Sequence, residues 1–143
     1  MTLDTKVGLA EDSDIDAIFA MDEEKELNGV TIQFGKLVLK LARVGGSNKT
    51  FAKAAEEAFR PYRRMMEAGV ELPEDVSKEI GFKLYSNIVK DWNRAKDGVP
   101  IPCTPDEVVK LFEKRPEVFY FVVEESKRAA NYRKASAEVD RKN

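Results

Sequence analysis

Arg43-Val44-Gly45-Gly46-Ser47-Asn48-Lys49 separates two kinds of apolar patterning. Before it the period is two. Val30, Ile32 and Phe34 alternate with Thr31 and Gln33, and Leu37, Leu39 and Leu41 alternate with Val38, Lys40 and Ala42. Gly35-Lys36 between them suits a tight turn, so residues 29–44 are expected to form a β-hairpin. A short helix over 36–44 is the alternative, because Leu37, Val38 and Leu41 would allow it. An isolated hairpin is marginal in water, so its leucine face must lie on helices or on a partner.

After the stretch the period becomes helical. The glycine pair lets the backbone turn, and Ser47 is a suitable N-cap for a helix that follows. Phe51, Ala55, Ala58, Tyr62 and Met65 recur at three and four, with Ala52, Phe59 and Met66 widening the stripe. Lys53, Glu56, Glu57, Arg60, Arg63 and Glu67 fall on the other side, where Glu56–Arg60 and Arg63–Glu67 pairs are expected. Pro61 should kink or break this helix near Phe59–Arg60, and Gly69 should end it.

A second main helix is expected from Pro73, with Val76, Ile80, Leu84, Ile88 and Trp92 at intervals of four. Gly81 weakens it by about 1 kcal/mol relative to alanine, which a close helix–helix contact would explain. Trp92 reads as a core anchor with its indole N–H on a loop carbonyl; a partner-binding hot spot is the sharper alternative. Asp97-Gly98 marks a turn, and Val99 to Cys103 an extended segment that could lie beside the hairpin. Thr104-Pro105-Asp106-Glu107 starts a short helix carrying Val108, Leu111 and Phe112. Pro116 starts the last one, with Phe119, Val122, Val123 and Ala130 as its stripe and Tyr120 and Phe121 beside or opposite it. Beyond Tyr132 the chain is polar nearly all round, as in a fraying helix end. The expected fold class is mainly α: a small helical domain of about four to five helices with one N-terminal β-hairpin.

Residues 1–28 form an acidic arm. Ile15, Ile18 and Phe19 would let a short helix dock, but it has too few apolar residues to stand alone. The arm is therefore either a mobile solvated tail or a segment that folds onto a basic partner or the chain's own basic hairpin and helix. Residues 29–143 read as a single helical domain.

Composition removes several function classes. Lys and Arg number 24 against 26 Asp and Glu, a balance that does not suit a general nucleic-acid binder. The absence of histidine takes away the commonest general base and metal ligand. The single cysteine, Cys103, cannot form an internal disulfide. No catalytic, cofactor or metal site is expected, and neither a membrane span nor a secretory signal.

The Arg43–Lys49 element with its preceding hairpin, Arg60-Pro61-Tyr62-Arg63, Trp92, Asp97-Gly98 with Pro100-Ile101-Pro102, Thr104-Pro105-Asp106 leading to Leu111-Phe112, and Ala129-Ala130 before Arg133 together resemble the tail assembly chaperones of long-tailed, siphovirus-type bacteriophages. The resemblance covers roughly residues 29 to 143. It implies a non-enzymatic factor of the host bacterial cytoplasm, absent from the mature virion. Such a factor keeps the tape measure protein soluble and helps major tail tube protein subunits assemble around it. Self-association is a further partner reading.

Candidate partner-binding residues follow. Tyr62, Met65 and Met66 would offer an adaptable apolar edge, since methionine repacks easily. Arg60, Arg63 and Arg64 would frame it, and Ser47, Asn48, Lys49 and Trp92 complete the set. Two rivals stand beside this reading. One is a structural virion component at the head–tail joint or tail end. The other is a small nucleic-acid-binding regulator using Lys49, Lys53, Arg60, Arg63 and Arg64.

Overall fold

The computed structural model describes residues 8–134. Residues 1–7 of the acidic arm and 135–143 of the polar C-terminal segment lie outside the described residues.

The chain is mainly α. In order come α1 (Asp12–Phe19), α2 (Glu23–Asn28), β1 (Val30–Phe34), β2 (Leu37–Leu41) and α3 (Lys49–Phe59). A 3-10 turn (Arg60–Tyr62) then leads to α4 (Arg63–Glu67) and α5 (Glu74–Ser86). Three short strands follow, β3 (Val89–Trp92), β4 (Ala95–Lys96) and β5 (Val99–Pro100). Last are α6 (Pro105–Lys114), α7 (Pro116–Lys127) and a 3-10 turn (Ala129–Tyr132).

The hairpin forms as alternation predicts, with Val30 opposite Leu41 and Ile32 opposite Leu39. It is not two-stranded, however. β3 pairs antiparallel with the free edge of β2, Leu39 facing Trp92 and Leu41 facing Val89, with an irregularity between Lys40 and Leu41. This corrects the expectation of one helix running to Trp92. The helix stops at Ser86, and Asn87 caps it through its N–H to the Leu84 and Tyr85 carbonyls. Two forces end it there. The open edge of β2 offers ladder groups that burial would leave unpaired. Ile88 and Val89 are β-branched and suit a pleated, half-buried surface better than a helix. The spacing of four that suggested a helix is shared by any strand whose alternate residues are apolar.

One face of the sheet packs on α5, α6 and α7. Ile32, Leu39, Leu41, Ala42, Ile88 and Val89 meet Phe82, Val108, Phe112 and Val122 in a single cluster. α6 enters it cleanly because Thr104 caps it, its Oγ1 accepting the Glu107 N–H at 3.3 Å, with Pro105 at the first helical position. Gly81 lets α5 approach α7: a Cβ there would lie 3.2 Å from Phe119 Cζ. The expected close helix contact is present. Phe119 also stands edge-on to Phe82, Tyr85 and Phe112, with ring centroids 4.8, 5.5 and 5.3 Å away.

The last helix is shorter than its apolar stripe suggests, and the expected fraying end beyond Lys134 lies outside the described residues. α7 stops at Lys127, so Ala130 leaves the stripe and joins the 3-10 turn. Tyr132 is fully buried, its hydroxyl donating between the Leu41 and Ala42 carbonyls at 3.1 Å each. Arg133 then bridges to Met21, and the Lys134 N–H donates to the Ala20 carbonyl at 2.9 Å. β4 and β5 form their own small hairpin and do not extend the main sheet.

Candidate functional site

The Arg43–Lys49 loop is built around a buried carboxylate. Glu26 projects from α2, 2% exposed, and accepts hydrogen bonds from the Arg43 guanidinium and the Ser47 backbone N–H, the latter at 3.3 Å. Burial pushes its pKa up, but the Arg43 and Ser47 hydrogen bonds and the Arg43 charge outweigh that and hold it below the ordinary carboxylate range. Gly46 passes so close, at φ +56°, that a Cβ there would collide with the Glu26 carboxylate and the guanidinium. With Ser47 turned to Glu26, the cap of α3 falls to Asn48, correcting the expected Ser47 cap. Its side-chain oxygen accepts the Phe51 N–H at 3.4 Å, while its amide donates to the Arg43 carbonyl at 2.8 Å. Ser47 and Asn48 are thus framework positions, and Lys49 is exposed at the first turn of α3.

α3 carries the clearest amphipathic pattern among the central helices, yet none of its residues is fully buried. Its apolar stripe and that of α5 form the walls of an open groove, floored near Phe82 and Phe119. Phe51, Ala55, Phe59 and Met66 line one side, Leu84, Tyr85 and Tyr120 the other. The groove offers about 1100 Å³, and a smaller depression of about 450 Å³ continues it across Ala55, Phe59, Met66 and Arg63. Met66 is 49% exposed, Val70 50% and Tyr120 63%.

The lip owes its shape to local chemistry. Pro61 lacks the N–H that an α-helix would use and converts one turn to 3-10, as its position predicts. Gly69, at φ +77°, closes α4: its N–H donates to the Met66 carbonyl and the Val70 N–H to the Met65 carbonyl. After this turn Val70 and Leu72 join the lining of the groove.

The candidate residues from the sequence divide accordingly. Arg63 and Met66 line the groove; Tyr62, Met65, Arg60 and Arg64 flank it on the same segment without lining it. Trp92 lies outside it, packed against the core with its indole N–H donating to the Ile101 carbonyl at 2.7 Å and Arg94 over its ring. The expected i,i+4 pairs on this helix are replaced by one Arg63–Glu56 contact at 3.7 Å, because the 3-10 turn rotates Arg63 relative to α3. Val70 and Leu72 are groove residues that the sequence pattern does not mark; two apolar residues after a glycine stop are the available signal.

Cys103 donates to the Val89 carbonyl, and burial followed by the Asp91 charge raises its pKa, disfavouring the reactive thiolate. Among the described residues no group of three or more His, Cys, Asp or Glu side chains is placed to hold a metal ion, and no helix is long and apolar enough to cross a membrane.

Against known families, residues 46–143 match the model described as YdaY prophage protein. That span contains every groove-lining residue and leaves out α1, α2, β1 and β2. No curated protein and no solved structure matches the chain.

Proposed function

The chain belongs to the YdaY prophage protein family, and from that premise we propose that it is a non-enzymatic tail assembly chaperone. In this reading it covers an apolar helical stripe of the tape measure protein and yields it to tail tube subunits as they polymerise. The groove between α3, α4 and α5 is the observation that carries it. A small domain that leaves Met66, Val70 and Tyr120 open along one concave face has the equipment for helix-in-groove recognition. Methionine and a glycine-terminated lip suit a site that accepts successive, non-identical segments. The phage origin and the Arg43–Lys49 resemblance support the same reading.

A virion component at the head–tail joint or tail end is the nearest alternative. Co-expression with the tape measure protein of the same prophage, followed by pull-down, separates the two when combined with mass spectrometry of purified particles. The chaperone should keep the tape measure soluble and be missing from particles. Stoichiometric presence in particles, or a tape measure that stays insoluble, contradicts the proposal. A nucleic-acid regulator finds less support, since Lys49, Lys53, Arg60, Arg63 and Arg64 are interleaved with Glu56, Glu57 and Glu67 on the same segment.

A further inference from the structure

The groove is apolar inside, and the charges that line it are mostly acidic; Arg60 and Arg64 flank it without lining it. Four carboxylates line its two parts, Glu56, Glu67, Glu71 and Glu74, against two cations, Arg63 and Lys78. One of the two cations is paired with a carboxylate; the other lies over an aromatic ring and keeps its charge. Arg63 sits 3.7 Å from Glu56, and the Lys78 ammonium lies 5.6 Å from the centre of the Phe82 ring. Among the described residues no ion pair reaches Glu67, Glu71 or Glu74.

We infer that the groove selects amphipathic helices whose apolar stripe is flanked by lysine and arginine. This rests on the groove being the chaperone's docking site and names the partner chemistry that site prefers. Low-dielectric walls concentrate the field of the rim charges on whatever lies in the groove. A helix with basic flanks pairs with three open carboxylates, while an acidic one meets like charge at the same positions. The same logic disfavours a second copy of this chain as occupant through α1. That helix offers exposed Ile15, Ile18 and Phe19, but Asp12, Asp14 and Asp16 accompany them.

The test uses two fluorescent helical peptides with one common leucine–methionine stripe, one flanked by lysines and one by glutamates, titrated with the full chain. The lysine peptide should bind at least about tenfold tighter, since three exposed pairs each contribute modestly. The ratio should shrink as salt rises. The triple variant Glu67→Lys, Glu71→Lys, Glu74→Lys should invert the order; all three residues are exposed, and circular dichroism checks its fold. Equal binding of both peptides, abolished by Met66→Asp, overturns the charge selection and leaves the groove as a docking site. Failure of both peptides overturns the docking site itself. Sedimentation showing a dimer that Met66→Asp dissociates assigns the groove to a second copy and likewise overturns the inference.

Discussion

Replacing Glu26 with alanine should destabilise the protein by about 3 kcal/mol. Breaking a buried ion pair from one side costs about 3–5 kcal/mol, because the remaining charge stays buried without compensation. Here the lower end applies. The Arg43 side chain is 19% exposed and can recover some hydration, although its Nε is already buried without a partner. The Ser47 N–H also loses its acceptor, but Ser47 is only half-buried and water can serve. At about 3 °C per kcal/mol for a chain of this size, the midpoint of thermal unfolding should fall by roughly 10 °C. Urea unfolding followed by circular dichroism reads the free energy directly. Glu26→Leu combined with Arg43→Met should recover much of the loss, because an apolar pair has no stranded charge. The effect also has a pH signature. The folded pKa of Glu26 is lowered from 4.5, so its contribution is complete above about pH 4.5 and is lost as pH falls through the folded value. The gap between wild type and Glu26→Gln should therefore narrow in acid. A loss below about 1 kcal/mol for Glu26→Ala, typical of a surface salt bridge, would refute the account of α2 as buttressed by a buried charge.

Met66→Asp should abolish retention of the tape measure in a pull-down while leaving the thermal midpoint nearly unchanged, since Met66 is half exposed. Trp92→Ala should cost about 3 kcal/mol in urea unfolding, the low end for a large aromatic, because Trp92 is only partly buried. Tyr132→Phe removes a buried hydroxyl shared by two carbonyls and should cost about 1–2 kcal/mol. Burial, then the Glu125 charge, raises the Tyr132 pKa well above 10, so wild-type stability should fall as pH climbs past about 10, and the Phe variant should lack that share of the fall.

Features written in local chemistry were legible. The hairpin, the proline break at Pro61, the stop at Gly69, the Thr104 cap and the Trp92 indole bond each follow from one or two residues and their neighbours. What was not legible depended on distant pairing. β3 exists because β2 has an edge to satisfy, and nothing within residues 73–92 announces that edge. Ser47 and Asn48 are both good caps in isolation; the choice was made by Glu26, about twenty residues earlier. Tyr132 stood in the sequence as the last residue before a polar tail, and nothing local showed that its hydroxyl reaches carbonyls of β2 and the residue after it. The groove was half legible. Its α3 wall was the predicted stripe, but the opposite wall from α5 and α7 required the packing to be known.

The apolar surface left open along the groove sets the strength of any complex made there. A fully buried Met, Val or Tyr contributes about 1.5–3 kcal/mol through its apolar surface. Met66, Val70 and Tyr120 are about half exposed, so covering them would add on the order of 2–4 kcal/mol. Association costs several kcal/mol before any net affinity appears. A single segment in the groove, even with its rim charges paired, should therefore bind weakly and leave quickly. That suits the proposed role better than tight binding would, because tube subunits must be able to replace the chaperone. A long partner presenting many such segments restores occupancy by keeping a released groove near the next site. Affinity should then rise steeply with the number of stripes in the tape measure fragment. A single stripe already bound at nanomolar strength would point instead to a permanent structural interface.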